Sequence, residues 1–199
     1  MRSTLRAVLF DLDGVLIDSY EVWRRLINAA AVRFNAEPIT SRAFRDMWGQ
    51  GVDADAARLG CSVADLERFY NDYFMNFGDA MAIDPAAKTV LDRVHQAGLR
   101  SAVITNTPAG LARQILATVP LAPEVVVGGD DVPHAKPAPD MVLRACVLLG
   151  VLPSQAVVVG DSDFDRQAAA ESRVRFIGLR IDGDAKLARL GDLPGLLQI

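Results

Sequence analysis

The sequence predicts an α/β protein built on a parallel sheet covered by helices on both sides, with an all-helical segment inserted early in the chain. Three observations carry that expectation. Short β-prone apolar runs at residues 7–10, 99–104, 125–127, 156–159 and 174–177 are separated by helical patterns. Residues 18–80, between the first run and the second, read as helical throughout. The 199 residues, half of them hydrophobic and free of low-complexity tracts, suffice for one large core carrying a small insertion.

Residues 7–10 form the first expected strand, ending at Asp11-Leu12-Asp13-Gly14. From Ser19, read as an N-cap, Val22, Trp23, Leu26, Ile27, Ala30, Ala31 and Phe34 recur on one helical face. A short helix is expected over residues 42–48, stopped near Gly49 and Gly51, and a third over 52–59, ended by Gly60. Ser62 and Asp65 have capping-box spacing ahead of an aromatic stripe of Phe69, Tyr70, Tyr73, Phe74 and Phe77, which reads as packing. The predicted division is therefore a core of residues 1–17 and 81–199 with a helical cap domain of residues 18–80.

After Pro85, helices at 86–97, 109–119 and 163–171, and one opened by Pro139 and closed by Gly150, alternate with the remaining strands. Residues 184–190 read as a last short helix.

The formal net charge of −4 argues against broad nucleic-acid binding without excluding an anionic small molecule held by a metal and a few basic groups. Cys61 and Cys146 offer neither a disulfide framework nor a thiolate zinc site. The N-terminus lacks the apolar span of a signal peptide or membrane helix, so a cytoplasmic protein with no membrane partner is expected.

Chemistry concentrates where strands end, because ligands of open α/β sheets bind beyond the carboxyl ends of the strands. Asp11 and Asp13, separated by one residue before a glycine turn, fit a nucleophile paired with a proton donor and acceptor; alone they also fit a solvated acidic turn. Asp161 ends another strand, with Asp165 in the first turn of the next helix, and Asp163 reads as its cap. Mg²⁺ takes about six oxygen ligands and keeps several waters, so two or three of these acids with a carbonyl would hold it. Thr105 and Asn106 end a third strand, with hydroxyl, amide and backbone groups suited to phosphoryl oxygens. Lys136 sits in Lys-Pro-Ala-Pro, whose prolines limit the loop's freedom. His134 reads as a surface-loop residue.

In order, Asp11-Leu-Asp13-Gly14-Val-Leu-Ile-Asp18-Ser19, Ile104-Thr105-Asn106, Lys136-Pro-Ala-Pro-Asp140 and Gly160-Asp161-Ser-Asp-Phe-Asp165 resemble the four motifs of the haloacid dehalogenase-like phosphohydrolases. Within that superfamily the chain is similar to the phosphoglycolate phosphatase and β-phosphoglucomutase group, whose small helical cap occupies the place of residues 18–80. The resemblance implies a Rossmann-like three-layer core with strand order 5-4-1-2-3. It also implies that Asp11 attacks phosphorus to form an aspartyl-phosphate, while Asp13 protonates the leaving alkoxide and then activates water. Thr105, Asn106 and Lys136 are implied to bind the phosphoryl group, and Asp11, the Asp13 carbonyl, Asp161 and Asp165 to serve Mg²⁺. The second aspartate favours phosphorus chemistry over carbon dehalogenation. Ala170-Glu171-Ser172 departs from the Ala-Gly turn common after the last motif.

A phosphatase of small phosphorylated metabolites is the expected activity. A phosphosugar mutase with a similar core and a non-catalytic binding protein are the alternatives. Arg42, Arg45, Trp48 and Gln50 are the cap residues proposed to select the substrate, although each also fits ordinary helix-surface chemistry. The oligomeric state, monomer or homodimer, is left open by the sequence.

Overall fold

The computed structural model describes residues 5–199; residues 1–4, the start of the first expected core segment, lie outside the described residues. The first strand, β1 (Ala7–Phe10), is wholly buried, because both faces of a parallel sheet are covered. It pairs in parallel with β4 (Arg100–Ile104) on one side and β6 (Ala156–Gly160) on the other. Outward from these lie β5 (Val125–Val127) and β7 (Arg175–Leu179), giving the order β5-β4-β1-β6-β7. Numbered among the core strands and read from the β7 side, this is the implied 5-4-1-2-3.

One correction concerns the edge. Ala185–Leu187 forms β8, parallel to β7, where a helix over residues 184–190 was expected; a 3₁₀ turn (Leu190–Asp192) and the short helix α9 (Leu193–Leu197) follow it. The cause is pairing rather than local pattern: Ile177 aligns with Ala185 and Leu179 with Leu187, and Leu187 is buried.

Apolar residues on opposite faces of the sheet build two clusters. Val8, Phe10 and Val103 pack with α5 (Ala87–Gln96) and α6 (Ala109–Ala117), while Leu9, Ala102 and Ile104 pack with α7 (Asp140–Leu149) and α8 (Asp163–Glu171). This alternation is the two-residue period of a strand, and each fully buried Leu or Phe contributes roughly 1.5–3 kcal/mol of transfer free energy.

The inserted region leaves and re-enters the core through a two-stranded antiparallel ribbon, β2 (Ile17–Asp18) and β3 (Ala82–Ile83). Between them run α1 (Tyr20–Arg33), α2 (Ser41–Asp46), α3 (Val52–Leu59) and α4 (Val63–Tyr73), the last continuing as a 3₁₀ segment. Gly60 ends α3 in the left-handed region at φ 68°, which costs a glycine least, and the Ser62 hydroxyl caps α4 by accepting from Asp65 N at 3.1 Å. Tyr70 and Phe74 of the aromatic stripe pack as expected, edge-on to Trp23 at 5.2 and 5.1 Å, while Tyr73 is exposed. Among the described residues, no helix is long and apolar enough to cross a membrane.

Candidate active site

Because the sheet is parallel, the exits of β1, β4 and β6 open at one edge, bringing Asp11, Thr105 and Asp161 together across more than a hundred residues of chain. Asp11 is 5% exposed, and its Oδ1 accepts from Leu12 N at 2.7 Å. The Lys136 ammonium reaches the same oxygen at 2.9 Å, Asp165 Oδ1 at 2.6 Å and the Ile104 carbonyl at 3.1 Å. Its three protons thus have three acceptors, which fixes a side chain that would otherwise be mobile.

Asp11, Asp161 and Asp165 offer carboxylate oxygens within 4.8 Å of one another. With Lys136 as the cation in contact, two negative charges remain uncompensated. The acids respond to that excess. Burial, then repulsion from Asp165, raises Asp11 well above the usual carboxylate range against the pull of Lys136. The same two causes raise Asp161 to about 6. Burial disfavours the Lys136 charge, yet Asp11 and Asp165 outweigh it and hold the ammonium above its ordinary range.

A divalent cation fits this arrangement. Among the described residues Asp161 Oδ1 is buried without a hydrogen-bond partner, an orphaned acceptor that a metal bond would satisfy, and hard oxygen donors suit Mg²⁺. Gly14 shapes the floor. Its φ is +81°, and a Cβ there would stand 2.1 Å from Asp161 Oδ2, so any side chain at this turn must displace the Asp161 carboxylate.

Asp13 faces away from the metal acids. Its Oδ2 accepts from Thr107 Oγ1 at 2.8 Å and Thr105 Oγ1 at 3.3 Å; its Oδ1 accepts from the Ser19 hydroxyl and from Trp23 Nε1 at 2.8 Å. Two carboxylates one residue apart therefore occupy different surroundings, as a division between nucleophile and acid–base requires. Ser19 stands at the N-cap of α1 as expected, but its hydroxyl makes no cap bond and is turned to Asp13. Asp163 is not the cap of α8: Ser162 caps that helix, Asp165 Oδ2 returns a bond to Ser162 N at 3.2 Å, and Asp163 pairs with Arg166 at 2.8 Å.

Asn106 is buried and acts structurally. Its Oδ1 accepts from Lys136 N at 2.9 Å, while its Nδ2 donates to the Lys136 carbonyl at 2.9 Å and to the Gly49 carbonyl of the insertion at 2.8 Å. Trp48 and Gln50 line the cavity beside Asp11 and Asp13, and Trp48 Nε1 lies 3.4 Å from Asp161 Oδ2. Arg42 and Arg45 are exposed on α2 and lie outside the cavity wall. His134 is on the surface, 3.2 Å from Asp140. Thr107 and Trp23 went unread in the sequence. Thr107 lies in the bend after β4, where its N–H donates to Thr105 Oγ1 at 3.1 Å and sets the two hydroxyls side by side, whereas Trp23 read only as part of an apolar stripe.

These features define a haloacid dehalogenase-like hydrolase, and the chain belongs to that family, whose model matches residues 8–179. Among individual proteins, it is 31% identical over 185 residues to a phosphoglycolate phosphatase of Rhodospirillum rubrum, covering 85% of this chain and 77% of that one. It is 28% identical over 188 residues to an N-acetylmuramic acid 6-phosphate phosphatase of Pseudomonas aeruginosa, covering 90% and 83%. The fold superposes on CbbY from Rhodobacter sphaeroides in complex with phosphate, with a TM-score of 0.81 at 24% identity over 98% of this chain and all of that one.

Proposed function

We propose that the chain is a Mg²⁺-dependent phosphatase that hydrolyses a small phosphomonoester through a phosphoenzyme on Asp11. The observation that carries this reading is the opposed setting of two neighbouring acids: Asp11 on Lys136 and the metal cluster, Asp13 on Thr105, Thr107 and Trp23. Phosphoryl transfer asks chiefly for in-line placement and neutralised equatorial oxygens. Asp11, the Asp13 carbonyl and Asp161, with Asp165 in support, would hold Mg²⁺, which when bound would supply charge neutralisation at those oxygens.

A carboxylate oxygen of Asp11 attacks phosphorus as the ester oxygen departs, and Asp13 gives that oxygen its proton. Asp13, now ionised, takes a proton from water as the water oxygen attacks phosphorus. Phosphate leaves and Asp11 is regenerated. Thr105 and the backbone N–H of Asn106 serve the phosphoryl oxygens, the Asn106 amide being engaged by Lys136 and Gly49, and Lys136 holds Asp11 in place while offsetting charge. Residues 1–17 and 81–199 act as the catalytic body and 18–80 as its cap, with Trp48 and Gln50 facing the leaving group.

The test is a screen of phosphorylated metabolites with and without Mg²⁺, reading both phosphate release and sugar-phosphate isomerisation. Mg²⁺-dependent release without isomerisation is expected. Isomerisation with phosphate retained would establish a mutase instead, and binding to a macromolecular partner with no turnover would remove the enzyme reading.

A further inference from the structure

The cap's contribution to the cavity is hydrocarbon, one acid, and the neutral donors of Trp23, Trp48, Gln50 and Tyr70, which reach Asp13, Asp161 and Asp55. Ile27, Phe44, Met47 and Val52 supply hydrocarbon, and Asp55 supplies the one ionisable carboxyl of the cap among the residues lining the wall. No arginine, lysine or histidine of the cap lines it; the cavity's cation is Lys136, whose three protons already serve Asp11, Asp165 and Ile104.

Asp55 is also held in place. Gln50 Nε2 donates to its Oδ1 at 2.6 Å and Tyr70 OH to its Oδ2 at 2.9 Å. Tyr70 is fully buried and lies against Trp23, whose indole reaches Asp13, so one row of packed groups fixes Asp55 relative to the acid–base aspartate. Each oxygen that accepts one bond retains a second lone pair, leaving the carboxylate able to take a further donor. A second anion entering this wall would meet repulsion with no cap cation to offset it, and in a partly desolvated site that repulsion is weakly screened.

Resting on the phosphatase reading above, we infer that Asp55 selects the leaving group: the substrate is a phosphomonoester whose organic part is not anionic and donates a hydrogen bond to Asp55, and a carboxylate-bearing leaving group is disfavoured. Burial raises Asp55 to about 6 although the Gln50 and Tyr70 bonds oppose the rise, so the group is ionised at neutral pH and above. The inference separates this site from the substrate named for several of its relatives, the phosphoglycolate phosphatases.

A matched series of two-carbon phosphomonoesters tests it, ended by carboxylate (2-phosphoglycolate), hydroxyl (2-hydroxyethyl phosphate) or ammonium (phosphoethanolamine). With Mg²⁺ at slightly alkaline pH, kcat/KM for the hydroxyl or the ammonium ester is expected to exceed that for 2-phosphoglycolate by about tenfold or more, the scale of one hydrogen bond to a charged group. Whichever of the two leads identifies the donor. Asp55→Asn, nearly isosteric, is expected to collapse that ratio by raising the rate on 2-phosphoglycolate and lowering the other.

The wild-type ratio stands as a readout of its own should the variant fail to fold. Equal rates across the series, 2-phosphoglycolate turned over fastest, or a ratio unchanged in folded Asp55→Asn would overturn the role of Asp55 and leave the phosphatase standing. No phosphate release from any member, or from p-nitrophenyl phosphate, would overturn both.

Discussion

The indole Nε1 of Trp23 donates to Asp13 Oδ1 across 2.8 Å, joining the first helix of the inserted region to the acidic turn of the core. Thr107 Oγ1 holds the other oxygen at the same 2.8 Å. The proposed acid–base group is therefore aimed by residues outside the cluster of metal acids. Trp23→Phe, which keeps the ring packing but removes the donor, is expected to lower kcat by about tenfold with KM little changed, as is Thr107→Val. Steady-state kinetics on the best substrate of the metabolite screen, with a melting curve to confirm folding, check both. A rise in KM at constant kcat would place these residues in substrate binding instead.

Asp11→Asn is expected to abolish turnover by at least about a thousandfold while preserving the fold. The substitution removes one of three crowded acids whose charge Lys136 only partly compensates, so without Mg²⁺ the variant should melt no lower than the parent. A normal multiple-turnover rate would disprove the nucleophile assignment. A large fall in melting temperature would disprove the charge-excess account of the cluster.

The raised acids also set a pH dependence. A carboxyl whose folded pKa lies above its unfolded value binds protons more tightly when folded, so stability is greatest at low pH and declines as pH rises through the interval. Asp161 and Asp55, both raised to about 6, place that decline between about pH 4 and 6 in the metal-free protein. Mg²⁺ binds the ionised cluster and should reverse the loss at neutral pH. At about a hundred times its dissociation constant, the expected rise in melting temperature is roughly 5–10 °C near pH 7.5, shrinking toward zero near pH 5. Melting curves with and without Mg²⁺ at the two pH values measure it, and a Mg²⁺ effect equal at both would remove proton-linked binding.

Gly14→Ala is expected to act on metal affinity more than on folding. A methyl group there would stand 2.1 Å from Asp161 Oδ2 and must displace that carboxylate. The left-handed backbone adds a strain of about 1 kcal/mol. Titration calorimetry with Mg²⁺ should show affinity lower by about tenfold or more. Unchanged affinity in a folded variant would remove Asp161 from the metal site.

Much of the arrangement was legible because it depends on short-range pattern. Buried strands announce themselves as β-branched runs, and acids at their exits, read with the resemblance to a known family, led to the sheet order and to Asp11, Asp13, Thr105, Lys136, Asp161 and Asp165. What escaped depends on partners far away in sequence. Residues 184–190 carry helical spacing, yet Ala185–Leu187 pairs with β7 because an open sheet edge lies beside it. Arg42 and Arg45, named with Trp48 and Gln50 as residues that select the substrate, are exposed because α2 turns Phe44 inward, a placement the local pattern does not reveal. Asp55 carries no signal of its own within its helix; Tyr70, from α4, reaches it and both line the cavity.

The Asn106 amide grips the inserted region by the carbonyl of Gly49, a backbone atom, while Trp48, Gln50 and Asp55 beside it face the cavity with side chains. The hold between the two regions and the chemistry of the wall are thereby written in separate alphabets. Substitutions at Gln50 or Asp55 change the side chains the cavity presents without touching the main-chain atom that Asn106 grips, so the wall is free to drift among descendants of this chain while the contact beneath it is inherited intact.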